Sequence, residues 1–325
     1  MTPFAIAGVQ MHIAATHENV TAMAHKIDQV AARFPWVQMV VFSELAAFGP
    51  LPSNHPENLD ATLETFKNLA RQYQIWLLPG TLFMRRADGK LYNVAPVIDP
   101  SGTVVAEYAK MFPFTPYEAG VEAGREFCVF DVPDVGRFGL SICYDIWFPE
   151  TTRQLAAMGA EVLLHPVLTG TIDRDIELAI AQSTAAMFQC YIFDINGLAG
   201  GGTGRSCVVD PGGTVLYQAA GQDEIIPVEV DLALVRRQRA VGIRGLGQTL
   251  KSFRDHRHEF PVYGYEGFDD TYLQSLGPLE MQPKNSKAGI DAPPPAAIMP
   301  LAGNEAAPAP APAVGVVPLI IEGGG

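Results

Sequence analysis

The stretch Phe138–Pro166, FGLSICYDIWFPETTRQLAAMGAEVLLHP, contains an apolar run, a helical pattern and a second apolar run in immediate succession. Phe138–Ile142 is typical of a short buried strand, and the segment from Glu150 to Gly159 has helical spacing. Cys143 therefore falls at a strand end, where the free N–H groups of the following turn can stabilise a thiolate or an oxyanion. Although cysteine is often only a small buried hydrophobe, this position predicts a nucleophile.

The same alternation continues along the whole chain. Further strand candidates are FAIAGVQM, VQMVVFSEL, IWLLPGTLF, VAPVIDP and CYIFDING, and helical patterns cover Val20–Phe34, Leu59–Tyr73 and Ile176–Phe188. The alternation predicts a layered α/β fold. Two Asp-Pro-x-Gly hairpins, VIDPSGTVVAEY and VVDPGGTVLYQA, also resemble each other. They indicate either two similar halves or the recurrence of a common turn.

Charge and composition favour small-molecule chemistry in the cytoplasm. The 325 residues are 48% hydrophobic and carry a net charge of −13, which disfavours binding to nucleic acid or anionic membranes. The first residues, MTPFAIAGVQM, lack the basic start of a signal peptide. No apolar run reaches the ~18 residues of a membrane span.

The cysteines and the C-terminal composition set two further expectations. Cys128, Cys143, Cys190 and Cys207 form no Cys-x-x-Cys pair, which predicts reduced thiols and neither a disulfide framework nor a metal site. From residue 282 the chain is rich in proline, alanine and glycine, as in APPPAAIMP and APAPAPAV. We therefore predict a catalytic domain over residues 1–281 and a tail over residues 282–325 that forms no packed core.

Three charged residues are candidate partners for a cysteine nucleophile, which needs a base and a cation or N–H group for the oxyanion. Glu44 ends the apolar run VQMVVFSEL, and Lys110 lies in EYAKMFPFTPYEAG, eight residues before Glu118. Taken singly, each residue is more often a solvated loop charge. As a set, they supply the groups that thiol catalysis requires.

The set closely resembles the Glu-Lys-Cys signature of the nitrilase, or carbon–nitrogen hydrolase, superfamily. The resemblance rests on FSEL, YAKMFPF, YEAG and ICYDIWFPE, and it covers roughly Phe4 to Val235. It implies a four-layer α-β-β-α sandwich in which two mixed sheets pack face to face with helices outside. It also implies a homo-oligomer, a dimer or larger, that associates through outer helices.

The resemblance also implies roles for individual residues. Cys143 is the nucleophile, Glu44 the general base, and Lys110 stabilises the oxyanion, while Glu118 positions substrate and supports the lysine. The implied reaction hydrolyses a small or medium amide or an N-carbamoyl compound to a carboxylic acid and ammonia through a cysteine thioester. It requires no metal and no organic cofactor.

Substrate preference is predicted from the residues around the cysteine. Cys143-Tyr144-Asp145 resembles amidases and carbamoylases, whereas many nitrilases carry Cys-Trp-Glu there. We expect Tyr117, Tyr144 and Trp147 to line a compact, partly aromatic pocket. One departure from the family is TAAMFQCYIF, where Met187 and Phe188 replace a polar pair. The usual packing of this helix is therefore in question.

Three alternatives remain at this point. The chain could act on a nitrile, or it could be a nitrilase-like protein that binds a partner without catalysis. His165, in VLLHP, raises a third alternative, a Cys-His thiol hydrolase. A strand-end histidine is usually structural, however, and no local signature of that class is present.

Overall fold

The computed structural model describes residues 3–170, 173–256, 258–264 and 269–281. The chain divides into two compact units, Met1–His258 and Glu259–Gly325. The tail predicted over residues 282–325 lies outside the described residues, so its boundary stays a prediction.

The strands and helices of the described residues follow the alternation that the sequence predicts. The strands are β1 Phe4–Gln10, β2 Met39–Phe42, β3 Trp76–Leu78, β4 Leu82–Arg85, β5 Leu91–Ile98, β6 Val104–Ala109, β7 Val129–Val132, β8 Gly136–Leu140, β9 Val162–Val167, β10 Tyr191–Asn196, β11 Leu198–Ala199, β12 Gly202–Thr203, β13 Cys207–Val209, β14 Val215–Gln218 and β15 Glu224–Val230. The helices are α1 Val20–Arg33, α2 Asp60–Tyr73, α3 Pro149–Ala157, α4 Arg174–Phe188, α5 Leu232–Val241, α6 Thr249–Asp255 and α7 Thr271–Ser275. Short 3₁₀ turns cover Pro52–Asn54, Cys143–Trp147, Ile243–Gly245 and Pro261–Tyr263.

Two mixed sheets form the centre of the first unit. The first sheet has the order β15-β1-β2-β3-β5-β4, and β6 also pairs with β5. Its strands β1, β2 and β3 are parallel, while β15 is antiparallel to β1. The second sheet has the order β14-β13-β10-β9-β8-β7, with β8, β9 and β10 parallel. Parallel neighbours bring the carboxyl ends of several strands to one edge of each sheet.

The alternation of side chains along each strand produces four layers. In β2, Met39 and Val41 point into the core between the two sheets, whereas Val40 and Phe42 pack under α1 and α2. In β9, Leu164 joins the same central core and Leu163 packs under α3 and α4. Strands buried on both faces explain the continuous apolar runs in the sequence. The predicted α-β-β-α sandwich of two mixed sheets is confirmed.

The unusual pair at the end of α4 has a packing explanation. Phe188 is buried in the core cluster beneath α3 and α4, and the Arg153 guanidinium lies 5.1 Å from the centre of its ring. Met187 faces outward and is 43% exposed. An apolar contact with α3 therefore occupies the position where a polar side chain was expected.

The two similar hairpins lie one in each sheet. In the β5–β6 turn, Asp99 Oδ1 accepts the N–H groups of Ser101 and Thr103, each at 2.9 Å. In the β13–β14 turn, Asp210 Oδ1 accepts the N–H groups of residues 212 and 214, each at 2.8 Å. The shared Asp-Pro-x-Gly sequence thus makes the same side-chain-to-backbone turn twice.

Within the described residues, no helix combines the length and the apolar character that crossing a bilayer requires.

Candidate active site

Cys143 occupies a sharp turn at the end of β8. It begins the 3₁₀ turn Cys143–Trp147, and its φ of +45° lies in the left-handed region that non-glycine residues rarely adopt. Such a conformation costs on the order of 1 kcal/mol and persists where surrounding contacts impose it. The turn leaves Cys143 half-buried at the sheet edge.

Asp145 provides the contacts that hold this turn. Its carboxylate accepts the Ile142 N–H at 2.9 Å, the Phe112 N–H at 2.8 Å and the Tyr108 hydroxyl at 2.7 Å. Burial raises the pKa of Asp145 to about 6, although these three donors favour the ionised form. Because Tyr108 and Phe112 flank Lys110, one buried carboxylate fixes the cysteine turn against the lysine segment.

Glu44, Lys110 and Glu118 form a buried cluster beside the thiol. Lys110 Nζ donates to Glu44 Oε1 at 2.9 Å and to Glu118 Oε2 at 2.7 Å. The side chains of Lys110 and Glu44 are only 1% and 4% exposed, so solvent screens these ion pairs weakly. The Glu44 carboxylate also lies near enough to Cys143 for its charge to raise the pKa of the thiol. The structure therefore brings together the four residues that the sequence predicts.

Burial and the charge of Glu44 favour the neutral thiol of Cys143. Burial raises the pKa of Cys143 well above its usual range, and the Glu44 charge raises it further, whereas Lys110 lowers it. Burial also raises the pKa of Glu44, although Lys110 opposes this shift. For Lys110, burial lowers the pKa, but the charges of Glu44, Cys143 and Glu118 raise it well above normal. A neutral thiol beside a carboxylate needs that carboxylate to take its proton.

Asn93 completes the cluster, and our sequence analysis missed it. Its Nδ2 group donates to Glu44 Oε1 at 2.8 Å and to Glu118 Oε1 at 3.2 Å. The residue is fully buried in β5, and Oδ1 has no partner among the described residues. The sequence does carry a signal for Asn93, which is the single amide in the apolar run YNVAPVI. A buried amide requires hydrogen-bond partners, so its position predicts polar neighbours.

Thr169 contacts the thiol directly, Glu177 is joined to it through Thr169, and our sequence analysis missed both residues. Thr169 Oγ1 lies 3.8 Å from Cys143 Sγ and 3.1 Å from Glu177 Oε1. Trp147 Nε1 donates to the same carboxylate oxygen at 3.5 Å. Burial raises the pKa of Glu177, with a further increase from the charge of Asp194. A charged residue near the start of a helix is common, so the sequence carried no specific signal for this contact.

The predicted aromatic residues form a connected group. The Tyr144 ring lies 6.1 Å from that of Trp147 and 5.0 Å from that of Phe114, centre to centre. Tyr117 stacks on Phe114 at 4.9 Å but is 56% exposed. Tyr144 and Trp147 lie in the cysteine turn itself, whereas Tyr117 contacts this group through Phe114. Their role in substrate binding stays a prediction.

His165 does not contact the nucleophile. Its Nδ1 atom shares a hydrogen bond of 2.7 Å with Ser141 Oγ, and the residue is 1% exposed. Burial lowers its pKa to about 4, so it is neutral near pH 7. This geometry disfavours a Cys-His mechanism. Among the described residues, no cluster of histidine, cysteine or acidic side chains could hold a metal ion.

Known proteins with similar sequences include several amidases. The chain is 32% identical over 196 residues to a deaminated glutathione amidase of Dictyostelium discoideum, covering 52% of this chain and 65% of that protein. It is 29% identical over 271 residues to a deaminated glutathione amidase of Synechocystis, covering 73% of this chain and 96% of that protein. The similarity thus extends over most of the first unit.

Solved structures and family membership agree with this similarity. A glutamate-to-glutamine mutant of the amidase from Nesterenkonia sp. AN1 matches with a TM-score of 0.64 and 26% identity, over 73% of this chain and 94% of that one. That protein carries the acetamide moiety of fluoroacetamide on its active-site cysteine. Residues 5–240 match the carbon-nitrogen hydrolase family. This chain therefore belongs to the carbon–nitrogen hydrolase family and is an enzyme that hydrolyses a non-peptide C–N bond.

Proposed function

We propose that this enzyme hydrolyses a small or medium amide, or an N-carbamoyl compound, through a thioester on Cys143. The observation that supports this most directly is the buried cluster of Glu44, Lys110 and Glu118, in which the charges of Glu44 and Lys110 act on the Cys143 thiol. An amide yields a carboxylic acid and ammonia, whereas an N-carbamoyl compound yields ammonia and a carbamic acid, which loses CO₂ to leave an amine.

In the first half of the reaction, Glu44 removes the thiol proton as sulfur attacks the amide carbon. The C=O π pair moves to oxygen, and the Lys110 ammonium stabilises the charge that develops there. The Tyr144 N–H is a second donor, because the first N–H groups of a helical turn have no acceptor within the turn. Glu44 then returns its proton to the nitrogen, the C–N bond breaks and ammonia leaves.

In the second half, water replaces ammonia in the site. Glu44 removes a proton from the water, whose oxygen attacks the thioester carbon. Collapse of the second tetrahedral intermediate breaks the C–S bond, releases the acid and returns the proton to sulfur. Glu118 and Asn93 hold Lys110 and Glu44 in place throughout, since their hydrogen bonds join these residues in a closed ring.

An amide suits this arrangement better than a nitrile does. An amide already has the carbonyl oxygen that Lys110 stabilises, and its nitrogen needs the proton that Glu44 carries. The Cys143-Tyr144-Asp145 sequence, whose aspartate fixes the turn, supports the same choice. A nitrile preferred by ~10-fold or more in kcat/KM over an amide of the same acyl part would contradict it.

The decisive experiment combines ammonia detection with mass spectrometry of the protein. A panel of primary amides, N-carbamoyl compounds and nitriles should yield ammonia from at least one amide or carbamoyl member, with an acyl adduct on Cys143. Cys143→Ala should abolish both signals, whereas the matched Cys128→Ser should retain them. A folded protein that releases no ammonia and forms no adduct would instead be a binding protein.

We also propose that the enzyme is a cytoplasmic homo-oligomer, a dimer or larger. The acidic composition and the free state of Cys128, Cys143, Cys190 and Cys207, which suits a reducing compartment, support the location. The family resemblance supports the assembly. Sedimentation of the purified full chain would measure the oligomer size.

A further inference from the structure

A second buried charge cluster reaches the nucleophile from the side of Thr169. Thr169 Oγ1 contacts Cys143 Sγ at 3.8 Å and donates its hydrogen to Glu177 Oε1 at 3.1 Å. The other Glu177 oxygen accepts Arg174 Nη1 at 3.3 Å. Thr169, Glu177 and Arg174 have no role in the thioester chemistry described above.

This second cluster contains two carboxylates and one guanidinium. Arg174 is shared between two carboxylates, and it lies closer to Asp194, at 2.5 Å, than to Glu177, at 3.3 Å. The same guanidinium also donates to the Arg205 carbonyl at 2.9 Å. One cation therefore faces two anions, and the carboxylate of Glu177 is the less fully compensated of the two.

Glu177 is also the carboxylate of this cluster that a bound substrate can reach. Asp194 and Arg174 are 0% and 1% exposed, whereas Thr169 and Glu177 are 8% and 5% exposed. Trp147, which donates to Glu177, is partly exposed, as is Cys143. The less buried side of the cluster is therefore the side on which Thr169 contacts the thiol.

One substituent of the tetrahedral intermediate points toward Thr169 and Glu177. Its carbon bears the Cys143 sulfur, an oxygen held by Lys110, a nitrogen that Glu44 protonates, and the acyl chain. Because the first three positions are occupied by the thiol and the Glu44–Lys110 cluster, the acyl chain extends away from that cluster. On the other side of the thiol lie Thr169, which contacts the sulfur, and Glu177, which accepts hydrogen bonds from Thr169 and Trp147.

We infer that Glu177 determines substrate specificity by binding an ammonium group at the end of the substrate's acyl chain. This inference rests on the proposed function and narrows its substrate class to aliphatic amides that carry a terminal amine. Glu177 supplies the counter-charge, and the Trp147 and Tyr144 rings supply faces that attract a cation. A terminal carboxylate would instead meet like charge in a weakly screened site.

The test uses three amides with the same acyl length: pentanamide, its derivative with a terminal amine, and its derivative with a terminal carboxylate. Ammonia release at pH 7.5 gives kcat/KM for each compound. In the wild type we expect the amine derivative to exceed pentanamide by at least ~10-fold and the carboxylate derivative to fall below it. Glu177→Gln should reduce the amine preference at least ~10-fold, and Glu177→Asp should restore part of it.

Asp175→Asn is the matched control. Asp175 lies on the same helix, pairs with Arg205 at the surface and has a side chain that is 76% exposed. This variant removes the same charge and should leave the ratio between the three amides unchanged.

The outcomes separate this inference from the proposed function. Hydrolysis of pentanamide without an amine preference, a preference for the carboxylate derivative, or an unchanged ratio in Glu177→Gln would overturn the specificity role alone. Failure of every amide and carbamoyl compound to release ammonia or form an acyl-enzyme would overturn both. If Glu177→Gln fails to fold, the kcat/KM ratios of the three amides in the wild type and in Glu177→Asp still test the specificity role. The absence of an amine preference in the wild type would overturn it.

Discussion

Asn93 controls the charge of the catalytic cluster by donating its two amide hydrogens to two carboxylates. Asn93→Asp would replace that donor with a third anion next to Glu44 and Glu118. The added charge should raise the pKa of Glu44, and Glu44 must be ionised to act as the base. We therefore expect the acidic limb of the pH profile of kcat/KM to move to higher pH, with a loss of at least ~10-fold near pH 7.

The control for this prediction is Asn58→Asp. Asn58 is exposed and accepts the Asp60 N–H through Oδ1, a contact that an aspartate can retain. The pH profile of this control should match the wild type. An Asn93→Asp enzyme with an unshifted profile would show that Asn93 has no electrostatic effect on the base.

Lys110 tests the stabilisation of the oxyanion. Lys110→Arg retains the charge but puts a planar guanidinium where a compact ammonium, 1% exposed, fits between two carboxylates. We expect it to lose at least ~10²-fold in kcat, the scale of removing one oxyanion donor. The exposed pair of Lys90 and Glu122 offers the control Lys90→Arg, which should keep normal rates. Near-normal turnover by Lys110→Arg would exclude the assigned role.

At the scale of elements, the sequence predicted which segments form strands and helices better than how they meet. Apolar runs and helical spacing identified β1, β2, β9, α1 and α4 because burial and periodicity are local properties. The family resemblance, not a local pattern, predicted that Glu44, Lys110 and Cys143 form one site. The contacts of Asp145 with Phe112 and Tyr108 span about 33 residues or more of chain, and no local pattern encodes such a contact.

Substitution of Asp145 therefore tests whether its hydrogen bonds hold the cysteine turn against the lysine segment. Asp145→Ala would leave the Ile142 and Phe112 N–H groups and the Tyr108 hydroxyl without their acceptor. At ~1–3 kcal/mol for each unsatisfied buried group, we expect a loss of at least about 3 kcal/mol in the free energy of unfolding. Urea denaturation of Asp145→Ala, Asp145→Asn and the exposed control Asp223→Ala measures it. Stability equal to the control would show that other contacts hold the turn.

At the scale of the whole molecule, buried titratable groups make stability depend on pH. Burial lowers the pKa of His165 from 6.5 to about 4, so the folded state resists a proton that the unfolded state accepts. The stability that depends on neutral His165 is thus fully present above pH 6.5 and falls as the pH decreases toward 4. The shift corresponds to about 3 kcal/mol.

His165→Asn isolates this contribution, since the asparagine oxygen can accept the Ser141 hydroxyl without titrating. The unfolding free energy of the wild type minus that of the variant should decrease by about 3 kcal/mol between pH 7 and pH 4. Taking the difference removes the opposite contribution of Asp145, whose raised pKa favours the folded state at low pH. A difference that stays constant over this range would show that His165 titrates normally in the folded protein.

The C-terminal tail is the part of the whole chain whose contribution the sequence leaves most open. Every residue placed at the site, from Glu44 to Asp194, lies within the compact unit Met1–His258, and composition predicts that residues 282–325 form no packed core. Truncation after Met281 should therefore preserve acylation of Cys143 and change kcat/KM for a good amide substrate less than ~3-fold, while the oligomer size can change. Mass spectrometry, ammonia release and sedimentation on the full and shortened chains measure these three properties. A folded, shortened enzyme that no longer acylates would mean that the tail builds part of the site, because none of the catalytic side chains would have been removed.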